Sequence, residues 1–298
     1  MRLLIIMTII LATMNAKAQR LPSIADKFVE IDKLKIAYKD EGSGQVVLCL
    51  HALGHSSKDF LYLYSLPHNN FRIISIDFPG QGISDNPNQD ISSTYFAKIT
   101  DEFIRKLDLK NLILIGNSIG GATAIRIASD NANIRMLVLA NPAGLDKKGW
   151  LAPLFLNYMI HFFQNGVDKK SSFQDKFSKY YNKVLTSETA LVRKNEIVKD
   201  AYRLAPILVQ GWTSFKQAEE DLRPLIETVN CPVLFTWGMN DKFVQFGRNK
   251  KAIEKFNNYK LIKYKIGHTP YIECPDLFLK DFQEYLISKN LGIQPKSV

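Results

Sequence analysis

The sequence predicts an α/β protein with a doubly wound, mostly parallel sheet and one helical insertion. Three observations carry this. Short, nearly unbroken runs of branched apolar residues recur, each followed by a glycine-bearing turn, as strands covered on both faces require. Segments with helical spacing lie between them. From Gly144 to Asn230 the strand rhythm stops and aromatic-rich helical spacing takes its place.

The first 18 residues stand apart from the fold. Met1-Arg2 gives a positive start, Leu3 to Met14 is almost wholly apolar, and Ala16-Lys17-Ala18 has the small-x-small pattern that a signal peptidase cuts. The apolar run is shorter than the roughly 20 residues that a bilayer span needs. Residues 1–18 therefore read as a signal peptide, and the mature chain, from Gln19, as an exported protein, periplasmic or extracellular, with no membrane span.

The elements follow in order. Phe28 to Ile31 and Leu34 to Tyr38 form a hairpin around Asp32-Lys33. Val46 to Leu50, Arg72 to Ile76, Leu112 to Ile115 and Met136 to Ala140 are the buried strands. Ser92-Ser93 offers an N-cap to a helix over Tyr95 to Leu107, where Phe96, Ile99, Phe103 and Leu107 step by three or four. A second helix opens at Ile119. Pro232 to Trp237 and Lys260 to Ile266 add strands, and a last helix buries Phe278, Phe282 and Leu286. The domain reading is a core in two parts, 19–143 and 231–298, with a helical cap over 144–230 between them. Trp150, Leu154, Phe155, Tyr158, Met159, Phe162 and Phe163 open that insertion as a roof over a pocket, because inserts at strand C-termini border the ligand crevice.

Composition narrows the function. At 298 residues, 46% hydrophobic and 23% charged, the chain is neither disordered nor fibrous. Three cysteines support no disulfide framework, although one pair or free thiols both remain open. The formal charge is +10, or +8 once Arg2 and Lys17 leave with the signal peptide. The lysines are scattered pairs without a basic stripe or stacking motif, so nucleic acid is not expected as a partner. A solvated basic surface with some attraction to anionic surfaces is the reading. No metal-type Cys/His spacing, phosphate-binding loop or dinucleotide fingerprint occurs, so no cofactor and no metal are expected.

The chemistry sits at strand ends. Gly116-Asn117-Ser118-Ile119-Gly120 is a G-x-S-x-G between a strand and a helix, the setting in which a serine is held on a tight elbow. A serine hydroxyl needs a base within reach. Of five histidines, His268, in Gly267-His268-Thr269-Pro270, ends a loop at the top of the sheet; His51, His55, His68 and His161 have settings that suit other tasks. Asp241, after the strand ending at Trp237, is placed to orient that imidazole. The backbone N–H groups of Leu53 and Ile119 are the expected oxyanion donors. Asp77 and Asp85 are the rival acids, and otherwise read as caps of the glycine turn between them. Ala52, Trp150, Phe155 and Trp212 are expected to line the substrate pocket.

Together these motifs resemble the α/β-hydrolase family, in its capped serine hydrolase and esterase branch, from about residue 28 to 288. The resemblance implies about eight strands with a helical cap, a Ser118, His268, Asp241 triad, and a small-molecule ester or lactone as substrate. Some relatives carry the acid one strand earlier, where this chain has Asn141-Pro142. Ala52 stands where relatives usually have glycine. Local similarity to meta-cleavage-product hydrolases implies a carbon–carbon alternative, with Arg193 or Arg203 as the carboxylate partner. An aminopeptidase-like reading needs Glu188, Glu196, Glu219 or Glu220 to converge, and a ligand-binding protein without turnover is a further alternative. The sequence carries no reading of oligomeric state.

Overall fold

The computed structural model describes residues 23–291, Lys148 excepted; the expected signal peptide lies outside the described residues. The strands are β1 (Lys27–Ile31), β2 (Leu34–Gly42), β3 (Gln45–Leu50), β4 (Phe71–Ile76), β5 (Leu112–Asn117), β6 (Ile134–Ala140), β7 (Val233–Gly238) and β8 (Tyr259–Tyr264). They form one eight-stranded sheet in the order β1-β2-β4-β3-β5-β6-β7-β8. β1 and β2 pair antiparallel, as do β2 and β4; every pairing from β4–β3 to β7–β8 is parallel. The hairpin turns at Asp32 and Lys33, both left-handed with φ of 51° and 64°, which matches the twist of the strands they join. β5 and β7 are buried along their whole length, which is why their runs lack polar alternation.

Helices α1 (Ser93–Lys106) and α2 (Ile119–Asp130) pack on each other and, through α2, on β5 and β6. Ser92 caps α1 by accepting from the Tyr95 N–H at 3.0 Å, as its position predicts. Four α-helices, followed by two short 3-10 turns, intervene among the described residues between β6 and β7: α3 (Ala152–Val167), α4 (Phe173–Val184), α5 (Leu191–Lys199) and α6 (Ala201–Ser214). After β7 come α7 (Phe246–Ile253), then β8, the short α8 (Pro270–Glu273) and α9 (Pro275–Ser288), whose Phe278, Phe282 and Leu286 are buried. α3 and α6 pack closely, helped by Gly166, where a Cβ would lie 2.6 Å from that of Ala205.

The aromatic stretch does not act as one roof. Leu156, Met159 and Phe163 face inward, whereas Trp150, Leu154 and Tyr158 are 85%, 65% and 65% exposed. Helical spacing divides them, since residues four apart share a face.

A buried ion pair ties the insert to the core. Arg193 of α5 donates from Nε to Asp59 Oδ1 at 2.7 Å and from Nη2 to Ser56 Oγ at 3.0 Å. Asp59 also accepts from His55 Nδ1 at 2.6 Å. Burial opposes a charged Asp59, but His55 and Arg193 outweigh it and hold the carboxyl well below its usual range. Lys58 and Glu196 repeat the core-to-insert contact at 2.5 Å.

A buried charge left without its partner is far costlier than a neutral pair. Arg193→Ala is therefore expected to lower stability by about 3–5 kcal/mol in equilibrium denaturation. The combined Arg193→Met and Asp59→Asn chain should recover part of that loss, and a loss below about 1 kcal/mol for the single variant would contradict the assignment.

Candidate active site

Ser118 sits between the end of β5 and the first turn of α2, with φ 54° and ψ −118°. A non-glycine residue adopts this conformation only when its surroundings impose it. The surroundings are backbone. The Ser118 N–H donates to Ala140 O at 3.2 Å, and its carbonyl accepts from Ala122 and Ala143 at 2.9 and 3.0 Å. A Cβ at Gly116 would lie 2.4 Å from Gly120 O, and one at Gly120 would lie 2.2 Å from Leu50 O. The glycines of the motif thus allow the elbow to close on itself and on the end of β3.

His268 follows β8. It is buried, and Nδ1 meets Asp241 Oδ2 at 2.6 Å. Because that carboxylate only accepts, the proton belongs on Nδ1, and Nε2 is left for the cavity that Ser118 and His268 both line. Asp241, in the loop after β7, accepts on both oxygens: Oδ1 from the Phe243 and Val244 N–H groups at 2.8 and 3.1 Å, Oδ2 from Asn141 Nδ2 at 2.7 Å. Asn141 is the residue at the position where some relatives carry the acid. Here it holds the acid instead, with Oδ1 accepting from the Gly238 N–H at 2.8 Å. Burial disfavours a charged His268, but the Asp241 charge and hydrogen bond, aided by Glu273, outweigh it and raise the imidazole pKa.

One carboxamide and one carboxylate fix the loop of His268. Asn117 donates to His268 O at 3.0 Å and to Ala140 O at 2.7 Å. Glu273 gathers the N–H groups of Gly267, Thr269, Thr186 and Ser187 at 2.7–3.1 Å. The His268 N–H donates to Val184 O of α4 at 2.8 Å. None of these partners has a sequence signature, because each also reaches a neighbour distant in the chain.

The loop after β3 lies beside the elbow. The N–H groups of Leu53 and Ile119 have no acceptor among the described residues. Gly54 is held by Gln81, whose Oε1 accepts its N–H at 2.6 Å. His51 is structural: Nε2 accepts from the Phe78 N–H at 3.0 Å, so Nδ1 donates to Ala52 O at 2.7 Å, and burial lowers its pKa. Ala52 is absent from the left-handed residues of the chain, so alanine at this position costs no backbone strain. Asp77 braces the glycine turn by accepting from Ser57 and Ile83, and Asp85 accepts from Lys35.

The cavity is about 410 Å³. Of the expected pocket residues, Ala52, Phe155 and Trp212 line it, with the expected oxyanion donor Leu53 beside them. Trp150 does not: it points to solvent one residue before Leu151, which does. Tyr180, Tyr181, Val184 and Leu208 from the insert, and Lys242, Phe243 and Arg248 from the core, complete much of the wall. Arg193 and Arg203 are engaged elsewhere, the latter with Asp200. The four glutamates do not converge, since only Glu220 reaches the cavity and its Oε1 accepts from the Ser93 N–H at 2.8 Å. Cys49, Cys231 and Cys274 are unpaired; burial raises the thiol of Cys49, and pushes those of Cys231 and Cys274 to about 11 and 12.

Comparison with known proteins agrees with this fold. Residues 45–275 match the family described as the alpha/beta hydrolase fold. The AB hydrolase superfamily protein YisY of Bacillus subtilis is 26% identical over 245 residues, 79% of this chain and 89% of its own. The 2-hydroxy-6-oxononadienedioate/2-hydroxy-6-oxononatrienedioate hydrolase 1 of Pseudomonas putida is 23% identical over 274 residues, 87% and 96% of the two chains. The solved structure of an esterase from Exiguobacterium antarcticum superposes with a TM-score of 0.74 at 22% identity, covering 88% of this chain and 99% of that one.

The raised pKa of His268 has a definite sign. The folded state favours the bound proton, so this group adds stability below the ordinary value of about 6.5, and the gain is lost as pH rises through the folded value. Ring-proton NMR should place the His268 titration above 6.5, and Asp241→Asn should bring it down. An unmoved titration would show that Asp241 does not set it.

Proposed function

The chain belongs to the alpha/beta hydrolase fold family, and on that premise we propose that it is a serine hydrolase of carboxylic esters or lactones. One observation carries the reading: Ser118, on a strained elbow, faces the same cavity as an imidazole whose other nitrogen is fixed by a buried carboxylate. Ser118 Oγ attacks the ester carbonyl while His268 Nε2 takes its proton. Asp241 holds the tautomer and steadies the imidazolium. The N–H groups of Leu53 and Ile119 receive the developing oxyanion, each worth about 2.7–4 kcal/mol in such a site. His268 then returns the proton to the leaving alcohol, and water releases the acyl group by the same route.

The insert acts as a cap in this reading, supplying apolar wall for a bulky acyl or alcohol group. The chain acts after export, with residues 1–18 removed. The spread of the four glutamates speaks against recognition of a substrate amine. Carbon–carbon hydrolysis has one observation in its favour, since Lys242 and Arg248 line the cavity and would meet a substrate carboxylate. Against it, Arg193 and Arg203, the expected carboxylate partners in the insert, are engaged with aspartates.

Ser118→Ala should lower turnover of p-nitrophenyl esters by about 10⁴-fold or more and abolish labelling by a fluorophosphonate probe. Retained turnover would overturn the mechanism. A panel of short esters, long esters, macrocyclic lactones, aminoacyl amides and a ring-fission dienoate separates the substrate classes.

A further inference from the structure

Trp150, Leu154 and Tyr158, outward on α3 and the turn before it, have no role in the site just described. The sixteen residues of α3 include no Asp, Glu, Lys or Arg. In sequence it is bracketed by Lys147-Lys148 and Lys169-Lys170, with Asp146 and Asp168 the only acids at its ends. Trp150, Leu154 and Tyr158, four apart, and Leu151 and Phe155 beside them form one exposed stripe of large apolar side chains. Single exposed leucines are ordinary on a protein surface; five adjoining apolar side chains that include Trp and Tyr are not.

Two further observations say what the stripe meets. It borders the mouth of the cavity, because Leu151 and Phe155 also line that cavity. Cations outnumber acids at that end: Arg248 and Lys242 line the cavity, Lys147 is exposed, and Asp146, 3.9 Å from Arg248 Nε, offsets one of them; a Cβ on Gly149 would lie 3.7 Å from Arg248 Nη2. An uncharged helix with Trp, Tyr and Leu outward and basic residues around it has the form of a segment that lies in a lipid interface. At about 1.5 Å per residue it is too short to cross a bilayer. A second copy of the chain would bring the same cations against these, on a protein of formal charge +10.

We propose that the outer face of α3 docks flat on an anionic lipid surface, turning the cavity mouth toward the membrane. Trp150, Leu154 and Tyr158 enter the headgroup boundary, and Lys147, Lys169, Lys170 and Arg248 meet the phosphates. Docking stands on this surface alone. That it brings lipid esters to Ser118 rests on the ester-hydrolase reading.

The test uses the full chain carrying Ser118→Ala, so that no lipid is consumed and binding does not depend on activity. Vesicles of phosphatidylcholine with about one quarter phosphatidylglycerol should co-sediment with the protein, and pure phosphatidylcholine vesicles much less, with the difference shrinking at high salt. Brominated lipids should quench tryptophan fluorescence. Trp212 and Trp237 are buried, so Trp150→Phe should remove the quenching whatever residues 1–22 contribute. The combined Trp150→Ser, Leu154→Ser and Tyr158→Ser chain should bind about tenfold or more weakly; Asn157→Glu, a single charge at an exposed position of α3, should weaken binding in the same direction. On the Ser118 background both variants should keep wild-type turnover of a soluble short ester. Absent quenching, equal binding to both vesicle types, or a dimer that these substitutions convert to monomer would overturn the proposal. Absent ester turnover with quenching intact would overturn the hydrolase reading and leave docking standing.

Discussion

A carboxylate removed from water must find donors for both of its oxygens, and Asp241 finds four. Phe243, Val244, Asn141 and His268 surround it, so the loops after β6, β7 and β8 are all fastened to one buried charge. Those donors hold the imidazole in one tautomer and one orientation. The elbow of Ser118 is rigid for a different reason, the contact of backbone with backbone at Gly116 and Gly120, and the two rigid units meet at one cavity.

The insert is part of this arrangement rather than a lid laid over it. Val184 accepts the His268 N–H, and Glu273 clamps the residues after α4 together with the His268 loop. On the far side Arg193 reaches Asp59 in the core. Displacing the insert as a body would break charged contacts on one side and the backbone of the base on the other. Access to the cavity is therefore a matter for side chains at its rim.

Much of this was legible in the sequence, and what was not has a common physical cause. Buried parallel strands announce themselves by composition, and the elbow by its glycines, since both depend on neighbours close in the chain. Hence β3 to β7 and the placing of Ser118, His268 and Asp241 follow from the residues. The second functions of Asn141, Asn117 and Glu273, and the reach of Arg193 to Asp59, depend on partners 86 to 151 residues away, and an isolated asparagine or glutamate carries no mark of them. Trp150 was misplaced for a simpler reason. Aromatic density reads as burial, whereas Trp150 lies in the turn before α3 and helical rotation sends Leu154 and Tyr158 outward beside it.

The three thiols have a practical consequence. None is paired, and burial keeps those of Cys231 and Cys274 protonated until about pH 11 and 12. Alkylating dyes react with the thiolate, so the native sulfurs are slow targets at neutral pH. A cysteine introduced at an exposed position would outcompete them, which makes the chain ready for site-directed spin or fluorophore attachment without first stripping its own cysteines.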